Sequence, residues 1–166
     1  MKRYYNNVDK YMEFYDDNKG KIFSYLMRMT AGDYDLSHDI MQESYTRYLE
    51  HYGTETPSIS LLYAIARNAL IDHERRSRYR QPIEQDHKDT SLSQETGLMI
   101  REEYRRVLSA FQGLEKDEKD ILTLVVSGDV SYRQIASIIG ISEANVKVKV
   151  HRARIKLKRI LEEGDI

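Results

Sequence analysis

At 166 residues the chain can hold one ordinary domain or two small ones, and its 40% hydrophobic content is usual for a water-soluble globular protein. The absence of cysteine excludes disulfides and thiolate metal sites. No apolar run nears a membrane span, and the first residues, MKRYYNNVDK, lack the apolar core of a signal peptide, so a cytoplasmic location without membrane insertion is expected. A net charge of −1 argues against a protein that binds nucleic acid tightly through overall positive charge.

That balance conceals segregation. Residues 1–82 carry twelve basic and twelve acidic groups, residues 83–100 one against four, and residues 101–166 thirteen against eleven.

From Val8 to Thr30, Val8, Met12, Tyr15, Ile22, Leu26 and Met29 recur at roughly helical spacing and predict a first helix with these residues inward, weakened in the middle by Gly20. Gly32 and Asp33 end it. A second helix is expected from about Asp35 to His51, with Ile40, Met41, Ser44, Tyr45, Tyr48 and Leu49 inward and Asp39, Gln42, Glu43 and Thr46 on the other face. Taken alone, that polar patch reads as a solvated surface carrying a Glu43–Arg47 pair.

Residues 52–58, YGTETPS, form a loop punctuated by Gly53 and Pro57. A long helix follows from Ser58 to about Tyr79, with Leu62, Ile65, Ala66, Ala69 and Leu70 toward a core. Its polar residues include Asn68, Asp72 and the five arginines Arg67, Arg75, Arg76, Arg78 and Arg80, with Tyr63 near its start. Arginines interleaved with aromatics suit single-stranded nucleic acid, because rings stack on bases while guanidinium groups hold the backbone. A solvated helix end accounts for the same residues equally well.

Residues 81 to about 97 lack periodicity, are polar and acidic, and contain a proline, the composition of a linker. Beyond it Ile100, Tyr104, Val107, Leu108, Phe111 and Leu114 predict one amphipathic helix, and Ile121, Leu122, Leu124 and Val125 another, ended by Ser127, Gly128 and Asp129. No segment alternates with period two, so no sheet is expected.

The stretch from Ser131 to Leu161 is the most informative. Ser131 and Gln134 make a capping-box start, and Tyr132, Ile135, Ala136 and Ile139 share one face of a short helix. Gly140 stops it, and Ser142 caps a second helix with Val146, Val150, Ala153 and Leu157 inward and Ala144, Val148, His151 and Arg152 outward. This is a helix-turn-helix pattern. From Glu143 to Leu161 seven bases face one acid, a local net of +6, which suits a major groove lined by phosphates. A solvated amphipathic helix is the alternative for the basic run alone.

The five histidines show no recurring metal spacing, and there is no glycine-rich phosphate loop and no GxSxG. Adjacent Asp72, His73 and Glu74 would point about 100° apart on a helix and make no dyad. The expectation is a protein without catalytic residues, metal or cofactor.

Both halves together resemble the extracytoplasmic-function (ECF) sigma factors of bacterial RNA polymerase. DLSHDIMQESYTRYL is similar to the family's D-x-x-Q-E segment, LLYAIARNALIDHERRSR to its W-L-Y-x-I-A-R-N-x-x-I-D-x-x-R-R segment, and residues 114–161 to its region 4 pattern. The resemblance covers roughly residues 11–80 and 100–162. It implies an all-α protein of two small helical domains joined by a flexible linker: a region 2 domain at 1–82, a linker at 83–98, and a region 4 domain at 99–166 containing the helix-turn-helix.

It further implies that Asp39, Gln42 and Glu43 meet the β′ clamp helices of core RNA polymerase. The loop from His51 to Ser58, with Tyr63, Arg67, Asn68, Asp72, Arg75 and Arg76, would meet the minus-10 element and hold the separated strand. Lys147, Val148, Lys149, His151 and Arg152 would meet the minus-35 element. Implied partners are core polymerase, through the clamp helices and the β flap, promoter DNA and an anti-sigma protein. The chain departs from the pattern at Leu61, where the family has tryptophan, at Ala64 for a common arginine, at Asn145 for a usual threonine, and at Val148 for a small hydroxyl residue. A stand-alone helix-turn-helix regulator with an N-terminal sensing or dimerisation domain is the competing reading.

Overall fold

The computed structural model describes residues 2–55, 57–79 and 98–163. They form seven helices, and among them there is no strand. The chain divides into two compact units, Met1–Lys88 and Asp89–Ile166. The expected linker lies outside the described residues except for Leu98, which opens a helix. No described helix is long and apolar enough to cross a membrane.

The first unit packs three helices, α1 (Lys2–Met29), α2 (Tyr34–Tyr52) and α3 (Ile59–Tyr79), each against the other two. Its core is unusually rich in tyrosine. Tyr25, Tyr48 and Tyr63 are fully buried, with Ile22, Leu26, Ile40 and Leu62 around them. Tyr15 meets Tyr45 edge-on at 4.7 Å between ring centroids, and Tyr11, Phe14 and Tyr48 form a cluster with spacings of 5.8–6.1 Å. Such rings bury large apolar area and still need a partner for the hydroxyl. Tyr11 Oη donates to the Tyr45 carbonyl at 3.4 Å, and burial pushes its phenol up to about 12.

This aromatic core corrects the inward face expected for α1. Met12 is 52% exposed and Val8 is also exposed, while Tyr11, Ile22, Tyr25 and Leu26 are buried. A tyrosine ring fills more of the space against α2 than a valine or methionine, so the helix turns its tyrosines inward. Leu49 on α2 is exposed for the same reason, because Tyr45 and Tyr48 occupy the interior beside it. The other expected inward residues of α2, Ile40, Met41 and Ser44, are buried.

The α1–α2 corner uses Ala31 in a left-handed conformation, φ 57°, followed by Gly32 at φ 91°. That geometry brings Gly32 N–H back to the Met27 carbonyl at 2.8 Å and satisfies a helix-end acceptor. Asp33 then caps α2, its carboxylate accepting from Leu36 N–H at 3.0 Å.

The second unit contains α4 (Leu98–Gln112), α5 (Lys116–Ser127), α6 (Tyr132–Ile139) and α7 (Glu143–Glu163). Helices α4, α5 and α6 all pack on α7, around Ile121, Leu124, Ile135 and Val146, each with no exposed surface. On α4, Val107 is exposed rather than inward, and Ala110 occupies the buried position near the end of the helix. The side chains of Ile100 and Tyr104 lie outside the described residues.

Left-handed backbone at a residue with a β-carbon costs about 1–2 kcal/mol, and the gain on removing it is reduced by the greater unfolded-state entropy of glycine. Ala31→Gly is therefore expected to stabilise the chain by about 0.5–1 kcal/mol, read as a higher midpoint in thermal or urea unfolding.

Candidate functional site

The helix-turn-helix is assembled by hydrogen bonds that its sequence anticipates. Ser131 N–H donates to Gln134 Oε1 at 2.8 Å, and Gln134 N–H donates to Ser131 Oγ at 3.2 Å, closing the capping box at the start of α6. Gly140 sits at φ 81°, ψ 35°, where any other L-residue would be strained, and its N–H reaches the Ala136 carbonyl at 2.9 Å. Two residues later Ser142 Oγ accepts from Asn145 N–H at 3.2 Å and starts α7. Burial of Val146, Val150 and Ala153 then fixes which side of α7 faces out. That outward side carries Ala144, Lys147, Val148, His151 and Arg152, all exposed, with Val148 at 47%.

The +6 local charge of α7 is only partly available outward. Lys149 is half-buried, and its Nζ lies 3.8 Å from Asp117 on α5; Lys156 Nζ lies 2.8 Å from Glu118 and 3.5 Å from Glu115. Lys147 pairs along the helix with Glu143 at 3.1 Å. Arg152 and Arg154 make no ion pair among the described residues. Of the residues expected at the minus-35 element, the structure brings Lys147, Val148, His151 and Arg152 onto one exposed face and turns Lys149 toward α5.

In the first unit, Asp39 and Gln42 are exposed on α2 and Glu43 is half-exposed beside them. On α3, Asn68, Arg75 and Arg76 are exposed, while Arg67 and Asp72 are half-buried. The two helices are linked by charge. Arg47 of α2 hydrogen-bonds Glu43 and also lies 3.6 Å from Asp72 of α3. Asp72 pairs with Arg75 at 3.3 Å, and Arg76 reaches the Asp72 carbonyl with Nε at 3.3 Å and Glu43 at 3.9 Å. The sequence gives the Glu43–Arg47 pair by its spacing of four, but nothing local in it signals the crossing from Arg47 to Asp72.

Tyr63 departs from the expectation for it. Its ring is fully buried and edge-on to Tyr25, 5.4 Å between centroids, so it offers no face to a nucleic-acid base. The reason lies in its register: it shares the inward stripe with Leu62, Ala66, Ala69 and Leu70. Exposed aromatics nearby are instead Tyr52 and His51 at the end of α2. The loop that follows is anchored from below, where the buried Tyr48 Oη accepts from Ser58 N–H at 2.8 Å. Gly53 opens that loop at φ 65°.

Residues 104–157, which span the helix-turn-helix and the helices beneath it, match the family model "Sigma-70, region 4". Across nearly its whole length the chain is similar to the ECF RNA polymerase sigma factor SigM of Bacillus subtilis, at 28% identity over 156 residues, covering 92% of this chain and 95% of SigM. The likeness to ECF sigma factors therefore extends over both units, while the family model covers only the second. SigL of Mycobacterium tuberculosis, another ECF sigma factor, is also 28% identical, with 90% of this chain and 87% of SigL covered. Solved structures agree on the fold. The sigma factor RpoE of Bartonella quintana, determined in complex with the anti-sigma factor NepR, matches with a TM-score of 0.72 at 17% identity, covering 92% of this chain and 96% of RpoE. CnrH, determined with the cytosolic domain of CnrY, matches at 0.64 and 19% identity, covering 91% and 86%.

Helix α7 is braced to α5 by a contact between Lys156 and Glu118. Glu118 accepts from the Glu115 amide at 2.8 Å, closing the first turn of α5, and takes the Lys156 ammonium from across the unit. Burial alone would raise the Glu118 carboxyl, but the Lys156 hydrogen bond, the Glu115 amide and the nearby charges of Lys156 and Lys149 hold it below its usual value. The Glu118 hydrogen bond likewise raises Lys156.

A carboxyl depressed in the folded state stabilises the fold above its unfolded pKa, roughly 4.3 for glutamate, and loses that contribution as pH falls through the folded value. Glu118→Gln should therefore lower the urea midpoint at pH 7. The difference from the parent protein should shrink as pH is lowered from about 5 toward 3, over the window set by the glutamate pKa.

Proposed function

We propose that the chain acts as an alternative sigma factor that binds core RNA polymerase and directs initiation at a particular promoter class. It works in the cytoplasm, where polymerase is found, and performs no covalent chemistry itself. The α2 face of Asp39, Gln42 and Glu43 docks on the β′ clamp helices, and the second unit meets the β flap. Residues His51–Ser58 with Arg67, Asn68, Asp72, Arg75 and Arg76 engage the minus-10 element and hold its separated strand. Opening one base from the stack costs a few kcal/mol, which backbone charge and a fitted loop can offset. Lys147, Val148, His151 and Arg152 read the minus-35 element in the major groove. An anti-sigma protein is the expected regulator.

The observation that carries this reading is the exposed row on α7, because it lies within the region 4 match. Val148 offers only apolar contact, such as to a thymine methyl, so the minus-35 sequence preferred here should differ from one read by a hydroxyl. Transcription in vitro from genomic fragments, with purified core polymerase and this chain, tests the function directly. Specific transcripts that require the chain are expected, and their absence would contradict the proposal.

Two substitutions test the assigned faces. Arg152→Ala should weaken holoenzyme binding to the promoter by about 1–3 kcal/mol if it reaches a base edge, or lower the salt slope by roughly one if it meets a phosphate. Equilibrium binding at several salt concentrations separates these outcomes. Asp39→Arg combined with Glu43→Arg reverses the charge of the α2 face and should abolish capture of core polymerase in a pull-down.

A further inference from the structure

Helix α3 packs against both α1 and α2 and leaves the opposite seam between them open. Among the described residues, the exposed large apolar side chains of the first unit are Val8 and Met12 on α1 and Tyr34, Leu49 and Tyr52 on α2. Three ring contacts between the helices, Tyr11–Tyr48, Tyr15–Tyr45 and Phe23–Tyr34, run them antiparallel and put Val8 and Met12 at the level of Tyr52 and Leu49. At helical spacing Met12 shares a stripe with Lys19 and Phe23, and Leu49 shares one with His38 and Tyr45. The exposed apolar groups therefore follow the open seam, which at the helical rise is roughly 22 Å long from Tyr34 to Leu49. Apolar groups scattered singly need no partner, whereas a contiguous row of them marks a contact surface.

At one end the seam opens into a notch of about 200 Å³ lined by Lys19, Gly20, Phe23, Tyr34, His38 and Met41. The fold itself does not require glycine at position 20: it lies inside α1, its φ is not positive, and a β-carbon there would meet nothing within 4 Å. A glycine inside a helix weakens it relative to alanine, and what this one provides is room for a group that approaches the α1 backbone closely. The notch is smaller than the clefts of roughly 300–1,000 Å³ that enclose a small molecule, and suits one bulky side chain. Its rim is acidic. Asp9, Glu13 and Asp16 follow one another along α1 beside Met12, and Asp35 adjoins Tyr34, all of them exposed, while Lys19 is already paired with Asp16 at 2.6 Å. Such a rim repels nucleic acid and would set like charges together if two copies of this chain met there.

We propose that the α1–α2 seam docks one amphipathic helix of a partner protein. A bulky apolar side chain of that helix fills the notch over Gly20, further apolar groups lie along Met12 and Leu49, and lysines or arginines meet Asp9, Glu13 and Asp16. The surface is separate from the face assigned to polymerase, because Glu43 looks away from the seam toward α3, where Arg47 and Arg76 reach it. A partner in the seam can therefore stay bound in the holoenzyme, a point that rests on that assignment.

The test uses the full chain and a fluorescent helical peptide of about fifteen residues, long enough to span the seam, with leucines at helical spacing and lysines on both flanks. Micromolar binding is expected, with none by a scrambled peptide of the same composition or by one carrying glutamates for the lysines. Gly20→Leu fills the notch and removes a helix-interior glycine. It should raise the thermal midpoint yet weaken the peptide by at least about tenfold, as when a central anchor loses its pocket. Asp9→Asn combined with Glu13→Gln should cost about two- to fivefold, the range of exposed charge pairs. Saturating core polymerase should leave the peptide bound.

No binding by the leucine–lysine peptide, equal binding by either control peptide, or an affinity unchanged by Gly20→Leu would overturn the proposal. So would displacement of the peptide by core, or a dimer of the parent chain in sedimentation that Met12→Asp with Leu49→Asp dissolves, which would make a second copy the occupant. A chain that captures no core at all contradicts the assigned polymerase face instead, and the arms without core then decide the seam.

Discussion

Burial of Val146, Val150 and Ala153 fixes the rotation of α7 about its own axis, and the proposed reading of duplex DNA depends on that rotation. A helix carrying seven bases around its circumference would otherwise present charge in every direction. With the small apolar stripe locked against α5 and α6, one set of cations is turned toward the acids of α5 and another toward solvent. The Gly140 turn and the Ser142 cap set where the stripe begins, so backbone conformation, burial and charge all point to the same outward row. Replacement of Gly140 would disturb that row without touching any residue in it.

The second consequence is weakness by construction. Many of the cations suited to DNA have a carboxylate within about 4 Å: Lys147 has Glu143, Lys149 has Asp117, Arg75 has Asp72 and Arg76 has Glu43. Exposed pairs of this kind contribute little to stability, typically about 0.2–1 kcal/mol each, yet they lower the positive potential that phosphates would meet. Together with a whole-chain charge of −1, this fits the proposal that the two nucleic-acid surfaces become effective when a larger assembly supplies the remaining contacts.

How much of this was legible in the sequence differs between the two units. In the second, short elements end at strong punctuation, Ser131, Gly140 and Ser142, and the apolar residues that set the helix phase are β-branched or small. The expected and observed faces of α7 therefore coincide at Val146, Val150 and Ala153 inward and at Ala144, Val148, His151 and Arg152 outward, while Leu157 is half-buried and Lys149 turns toward α5. In the first, tyrosines obscure the phase, since a tyrosine can be core or surface depending on what its hydroxyl meets. Tyr11 and Tyr25 turn inward where Val8 and Met12 were expected, and Tyr63, expected to meet DNA, is core. The Arg47–Asp72 and Lys156–Glu118 contacts join residues 25 and 38 positions apart, and no local pattern encodes such pairs.

The central claim, that sequence-specific promoter binding emerges only with core polymerase, is tested most directly by the affinity of the purified chain for a duplex promoter fragment, measured at one salt concentration with and without core enzyme. The account predicts that the chain alone binds no tighter than non-specific proteins do, with a Kd of about 1 μM or weaker, and that core enzyme brings specific binding toward the range of roughly 10 nM or below. Nanomolar, sequence-selective binding by the chain alone would contradict it and point to a regulator that acts unaided.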